Sequence, residues 1–105
     1  MKEIKEFLPI GTVVKLKNEN KRVMIIGFCS LSIETKKVYN YVACLYPEGI
    51  VNSKDLIMFD NIKIEEICYK GLVDKEEKEF KGKLMNFSNV LSNIDKNVEL
   101  SRKTK

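Results

Sequence analysis

The chain is 105 residues long, 44% hydrophobic and 32% charged, and 19 basic against 15 acidic side chains leave a formal charge of +4. That apolar fraction is too high for a disordered segment, and two Pro with five Gly are too few for a low-complexity or collagenous one. The length supports one domain over 1–105 that can close a modest core without metal or disulfide staples. The absence of His removes the commonest general base and the commonest zinc ligand together.

Leu8-Pro9-Ile10-Gly11 is a punctuated lead-in, with Pro9 fixing its own φ and Gly11 free to turn. Thr12 to Lys17 follows as a strand whose alternation sends Val14 and Leu16 to the core and Lys15 and Lys17 outward. Asn18 to Lys21 is a polar turn, and the nearly continuous apolar run Arg22–Cys29 suits a central strand covered on both faces. A polar loop over Ser30–Lys37 leads to a third strand, Val38–Tyr46, which Pro47-Glu48-Gly49 ends in a tight turn. Ile50 to Lys54 reads as a bridge or brief strand, and Leu56–Phe59 as a short apolar strand. Ile62–Tyr69 alternates until Glu65-Glu66, where the change of parity predicts a bulge or a change of face, and Gly71 ends it.

At Asp74 the period switches. Asp74 with Glu77 three residues on forms an Asp version of the capping box, and acids fill the first turn. Phe80, Leu84, Phe87, Leu91, Ile94 and Val98 then repeat in a 4-3-4-3-4 rhythm that places all six on one face, broadened by Met85 and Val90. The expected class is therefore α+β: a small antiparallel β-barrel, SH3-like, or a curled sheet over 7–71, one C-terminal helix over 74–94, and a flexible tail over 95–105. A 21-residue helix spans about 31 Å, longer than the face of a small barrel. Such a face ordinarily packs on the domain's own sheet; the alternative is that its distal part, Leu91, Ile94 and Val98, overhangs and is buried by a partner helix.

The remaining chemistry is excluded piece by piece. Ser30, Ser32, Ser53 and Ser101 lie in no G-x-S-x-G or S-x-x-K pattern, and the adjacent carboxylates Glu65-Glu66 and Glu76-Glu77 diverge on either type of element. No catalytic residue, cofactor or metal ligand set is assigned. Cys29, Cys44 and Cys68 form no C-x-x-C pair and sit in apolar runs, so they read as buried free thiols of a reducing compartment. Lys and Arg interleave with acids, as in Lys75-Glu76-Glu77-Lys78-Glu79, and only Arg102-Lys103-Thr104-Lys105 is a basic cluster. Tyr39, Tyr41 and Tyr46 could line a nucleic-acid platform, but with few basic neighbours they fit core and rim packing better. The charged start, Met1 to Glu6, lacks a signal-peptide core, and no run reaches the ~20 apolar residues of a membrane span. A cytoplasmic location is expected.

Leu8-Pro9-Ile10-Gly11-Thr12-Val13-Val14-x-Leu16, then Val23-Met24-Ile25-Ile26-Gly27, then Tyr41-Val42-Ala43-Cys44-Leu45-Tyr46-Pro47-Glu48-Gly49 together resemble the small bacterial family called domain of unknown function 4176. The likeness spans roughly residues 7–85 and includes the acidic stretch after Gly71. The resemblance implies a protein without catalytic motif, encoded beside LXG-type toxins and small helical partners of type VII secretion. It would serve there as an accessory or chaperone that binds the toxin or its helical targeting region before export. The alternatives are a nucleic-acid-binding barrel and an antitoxin- or immunity-type regulator. The expected partner-binding residues are Phe80, Leu84, Phe87, Leu91 and Ile94, with the Tyr46-Pro47-Glu48-Gly49 turn as a second recognition point through an exposed Glu48.

Overall fold

A computed structural model describes residues 4–103, with side chains described through Ile94. Five strands form one antiparallel sheet: β1 (Val13–Leu16), β2 (Arg22–Leu31), β3 (Val38–Leu45), β4 (Ile57–Phe59) and β5 (Ile64–Tyr69), in the order β4-β3-β2-β1-β5. A single helix, α1 (Lys75–Lys103), follows. The expected class holds, and the curled-sheet form of it: β4 and β5 are separate edges, so the sheet is open and the SH3-like barrel is not formed. The concave face that closure would have sealed is instead filled from outside the sheet. Ile4 and Phe7 of the N-terminal segment and Leu84 of α1 join Val14, Leu16, Val23, Ile25, Ala43 and Phe59 in one core.

β2 is central as expected, but only its Val23–Ile25 side is buried and the opposite side is half covered. Val14 and Leu16 do face the core, and Val13 on the other side of β1 is buried as well. The bulge expected at Glu65-Glu66 is present: against β1, Glu66 and Ile64 pair with successive residues, and a second shift skips Cys68. Ser53–Asp55 is a 3-10 turn capped by Asn52 Oδ1, which accepts from Lys54 N at 3.0 Å, rather than a strand.

The lead-in acts as a clasp. Thr12 is fully buried; its Oγ1 donates to Pro9 O at 2.7 Å and accepts from Gly71 N at 3.1 Å. Gly11 takes φ +87° and donates its N–H to Ile25 O. The end of β5 is thereby tied to the start of β1, so closely that a Cβ on Gly71 would lie 2.1 Å from Ile10 O.

Asp74 caps α1 as expected, accepting from Glu77 N at 2.9 Å. The helix continues past residue 94 to Lys103, since no Gly or Pro interrupts 95–103 and the residues there carry only mild propensity penalties. The flexible tail expected over 95–105 is thus helical as far as Lys103, and the contact expected of Val98 lies outside the described side chains. Of the cysteines, only Cys44 is buried; Cys29 is half-buried and Cys68 exposed on the edge strand, because that strand lies beyond the covered part of the sheet.

Two glycine substitutions should separate these constraints. Gly71→Ala must displace backbone and should cost on the order of 3 kcal/mol. Gly82 lies mid-helix with nothing near its missing Cβ, so Gly82→Ala should stabilise by about 0.5–1 kcal/mol. Denaturant unfolding of both variants beside the wild type reads out the two signs.

Candidate functional site

Five aromatic rings run through the core toward α1. Tyr41 is fully buried, with Phe7 5.7 Å away edge-on, Phe59 at 5.5 Å and Phe28 at 6.1 Å between ring centroids; Phe28 in turn meets Phe80 of α1 at 6.0 Å. Tyr41 Oη accepts from Leu8 N at 2.9 Å and donates to Asn61 Oδ1 at 3.4 Å. Burial pushes this hydroxyl up to about 12, against the Leu8 N–H, which pulls it down. Neighbouring Asn40, also buried, donates its N–H to Asp60 Oδ1 at 3.1 Å and accepts from Asn61 N at 2.8 Å. Tyr41 therefore lies in the core rather than on a binding face.

The aromatic row opens at its helix end into a cleft of about 590 Å³ between the N-terminal segment and the first turns of α1. Phe7, Leu8, Phe28, Phe80 and Leu84 make its apolar lining, with Ile10 and Leu72, and four carboxylates, Asp74, Glu76, Glu77 and Glu79, line it with Lys81 and Lys83. Lys81 is largely buried and bridges Glu77 Oε1 at 3.0 Å and Glu6 Oε1 at 3.4 Å. Burial draws its ammonium down, but the two carboxylates outweigh that and hold it above the usual lysine value. Glu77 Oε2 is buried and has no hydrogen-bond donor among the described residues.

The helix face expected to bind a partner divides. Leu84 is buried in the protein's own core and Leu91 is half-buried. Phe80, Phe87 and Ile94, with Val90, remain 48% to 57% exposed. The inward side of α1 centres on Ser88, with Lys81, Met85 and Ser92 around it, and both serines are buried. At about 100° per residue, the exposed apolar row lies roughly a third of a turn from Ser88. Apolar rhythm alone pointed to the wrong centre of the packed face; the i, i+4 spacing of Leu84 with Ser88 and Ser92, two small residues that permit close approach, was the available signal. Ile4 and Phe7 were missed for a different reason, since a segment without strand or helix has no period.

The Tyr46-Pro47-Glu48-Gly49 turn lies at the far end of β3, with Gly49 at φ +78° and its N–H donating to Leu45 O at 2.8 Å. Arg22 lies over the Tyr46 ring at 5.1 Å. Glu48 is exposed but engaged by Lys21 Nζ, which holds its carboxyl below the usual carboxylate value. The structure does not bring this turn together with the helix face. Among the described residues no three His, Cys, Asp or Glu side chains gather as a metal site, and no helix is long and apolar enough to cross a membrane.

The sequence profile of a domain of unknown function, DUF4176, matches residues 7–80. The chain belongs to the DUF4176 family. No curated protein and no solved structure matches it. The DUF4176 segment runs from Phe7 to Phe80, two residues that both line the cleft; Phe87, Val90 and Ile94 lie beyond it.

Tyr41→Phe should test the anchor at the root of this cleft. Removing the hydroxyl strands the Leu8 N–H and should cost about 1–3 kcal/mol. Because the folded hydroxyl titrates about 12 and an ordinary tyrosine about 10, its contribution is complete below pH 10 and is lost as pH rises toward 12. Wild-type stability should therefore fall more steeply than that of Tyr41→Phe across this window in parallel denaturant titrations.

Proposed function

We propose that this protein is a non-catalytic, cytoplasmic accessory of a bacterial type VII secretion toxin system that holds an amphipathic helix of an LXG-type toxin, or of its small helical targeting partners, before export. The setting comes from the family resemblance. The mode comes from one observation: Phe80, Phe87, Val90 and Ile94 line one side of α1 at heptad-like spacing and remain half exposed. Residues spaced in this way suit knobs-into-holes contact with a second helix. The helix is long enough to offer that seam, since 29 residues extend about 43 Å at 1.5 Å per residue.

An immunity role would engage the toxin's catalytic end, whereas the accessory role engages its helical secretion end. Titrating the full chain with each toxin region separately distinguishes them, and binding to the helical region is expected. In Phe87→Asp/Ile94→Asp, the melting temperature should stay close to wild type because both positions are already half exposed. Burying the remaining half of two such side chains is worth about 1.5–3 kcal/mol together, so affinity should fall at least tenfold. Unchanged affinity would remove this face from the interface, and binding of DNA or RNA in place of the helical region would favour the nucleic-acid reading.

A further inference from the structure

The apolar cleft at the start of α1 and the exposed helical row share Phe80. A helix lying along Phe87, Val90 and Ile94 would therefore reach the cleft at one end. The cleft is not electrically neutral there: of its lining, four carboxylates face two ammonium groups, and Lys81 is already committed to Glu77 and Glu6. Glu77 Oε2 is buried without a donor among the described residues. An incoming apolar side chain would meet Phe7, Phe28 and Phe80, while an incoming cation would meet Asp74, Glu76 and Glu79 at the mouth and could supply Glu77 with its missing donor. An anionic partner would meet the opposite of what it needs.

We infer that this cleft is the recognition end of the binding face, and that its occupant is the basic end of a partner's amphipathic helix, an apolar side chain seated over Phe7 against Phe28 and Phe80 with a Lys or Arg on the Glu77 side. This deepens the binding-module reading above by naming the chemistry of the partner. The cleft is half open, and its volume of about 590 Å³ is enough to take a ligand side chain. The Phe28–Phe80 ring contact holds this aromatic wall in place, so little ordering is required on binding.

The test needs no toxin. An 18-residue amphipathic peptide with Leu at the heptad a and d positions and Lys elsewhere is titrated into the full-length protein, beside the same peptide carrying Glu in place of Lys. The Lys peptide should bind at least tenfold more tightly, with amide shifts centred on Leu8, Ile10, Leu72 and Phe80. Leu72→Asn alone, and Glu76→Lys/Glu79→Lys together, alter exposed positions and should each weaken that binding tenfold or more while leaving the melting temperature near wild type. Equal binding of the two peptides, shifts centred elsewhere, or undiminished binding by both variants would overturn the inference. So would sedimentation showing a dimer that Leu72→Asn dissociates, since a second copy would then fill the cleft. A protein that binds the Lys peptide in this way but no toxin region would retain the cleft and lose the secretion setting; toxin binding abolished by Phe87→Asp/Ile94→Asp but indifferent to the cleft variants would do the reverse.

Discussion

The Tyr41 side chain is the joint on which the remaining structure depends. Its ring is the only element touching Phe7, Phe28 and Phe59 at once among the aromatic contacts of the described residues. Its hydroxyl adds two directional bonds, one to the Leu8 backbone and one to Asn61. A single residue of β3 thus holds the N-terminal segment and the turn before β5. Phe7 then carries the linkage outward to α1 through the core it shares with Leu84. A buried hydroxyl is costly unless satisfied; here both bonds are made, and the cost becomes a constraint on where residues 4–10 can lie.

That constraint explains why the sheet stays open. A five-stranded curl closes when its edge strands meet, but the N-terminal segment and α1 already occupy the concave side. Their apolar side chains complete the core that closure would have provided. The free edge at β5 is irregular. Its register slips twice, and Lys15 on β1 pairs with Glu65 at 2.8 Å, an ion pair that raises the lysine and lowers the carboxyl. Bulges and charges are the usual means by which an exposed edge is kept from pairing with another chain.

Strand alternation at Val14 and Leu16, the turn residues at Gly11 and Gly49, and the Asp74 cap were all legible because each rests on local rules: side-chain period, φ > 0, or an orphan N–H. The parity slip at Glu65-Glu66 was legible for the same reason. Closure, the burial of Ile4 and Phe7, and the rotation of α1 were not. Each is decided by a competition among distant segments for one concave surface. The LPIGT lead-in shows both sides of this. Its turn could be read from Pro9 and Gly11, but its bond from Gly71 N to Thr12 Oγ1 joins residues far apart in the chain. The helix stripe likewise appeared as one face; the structure divides it because Ser88 and Ser92 let α1 approach more closely than Phe80 or Phe87 would.

The exposed row and the acidic cleft are therefore two results of a single packing choice. With Ser88 turned inward, Leu84 and Met85 supply the apolar contact to the core, and the Lys81 bridge to Glu6 and Glu77 ties the same side to the N-terminal segment. Rotating α1 to bury Phe80, Phe87 and Ile94 would bring bulkier side chains against the sheet. It would also move the Lys81 bridge toward solvent, where such a pair contributes little. The cleft exists because Phe80 stands off at the rim, touching Phe28 without filling the space above Phe7. Its acidic mouth follows from the cap, since the carboxylates that favour the first turn of any helix here also line the opening. The same residues that start α1 thus set the charge of the surface it presents.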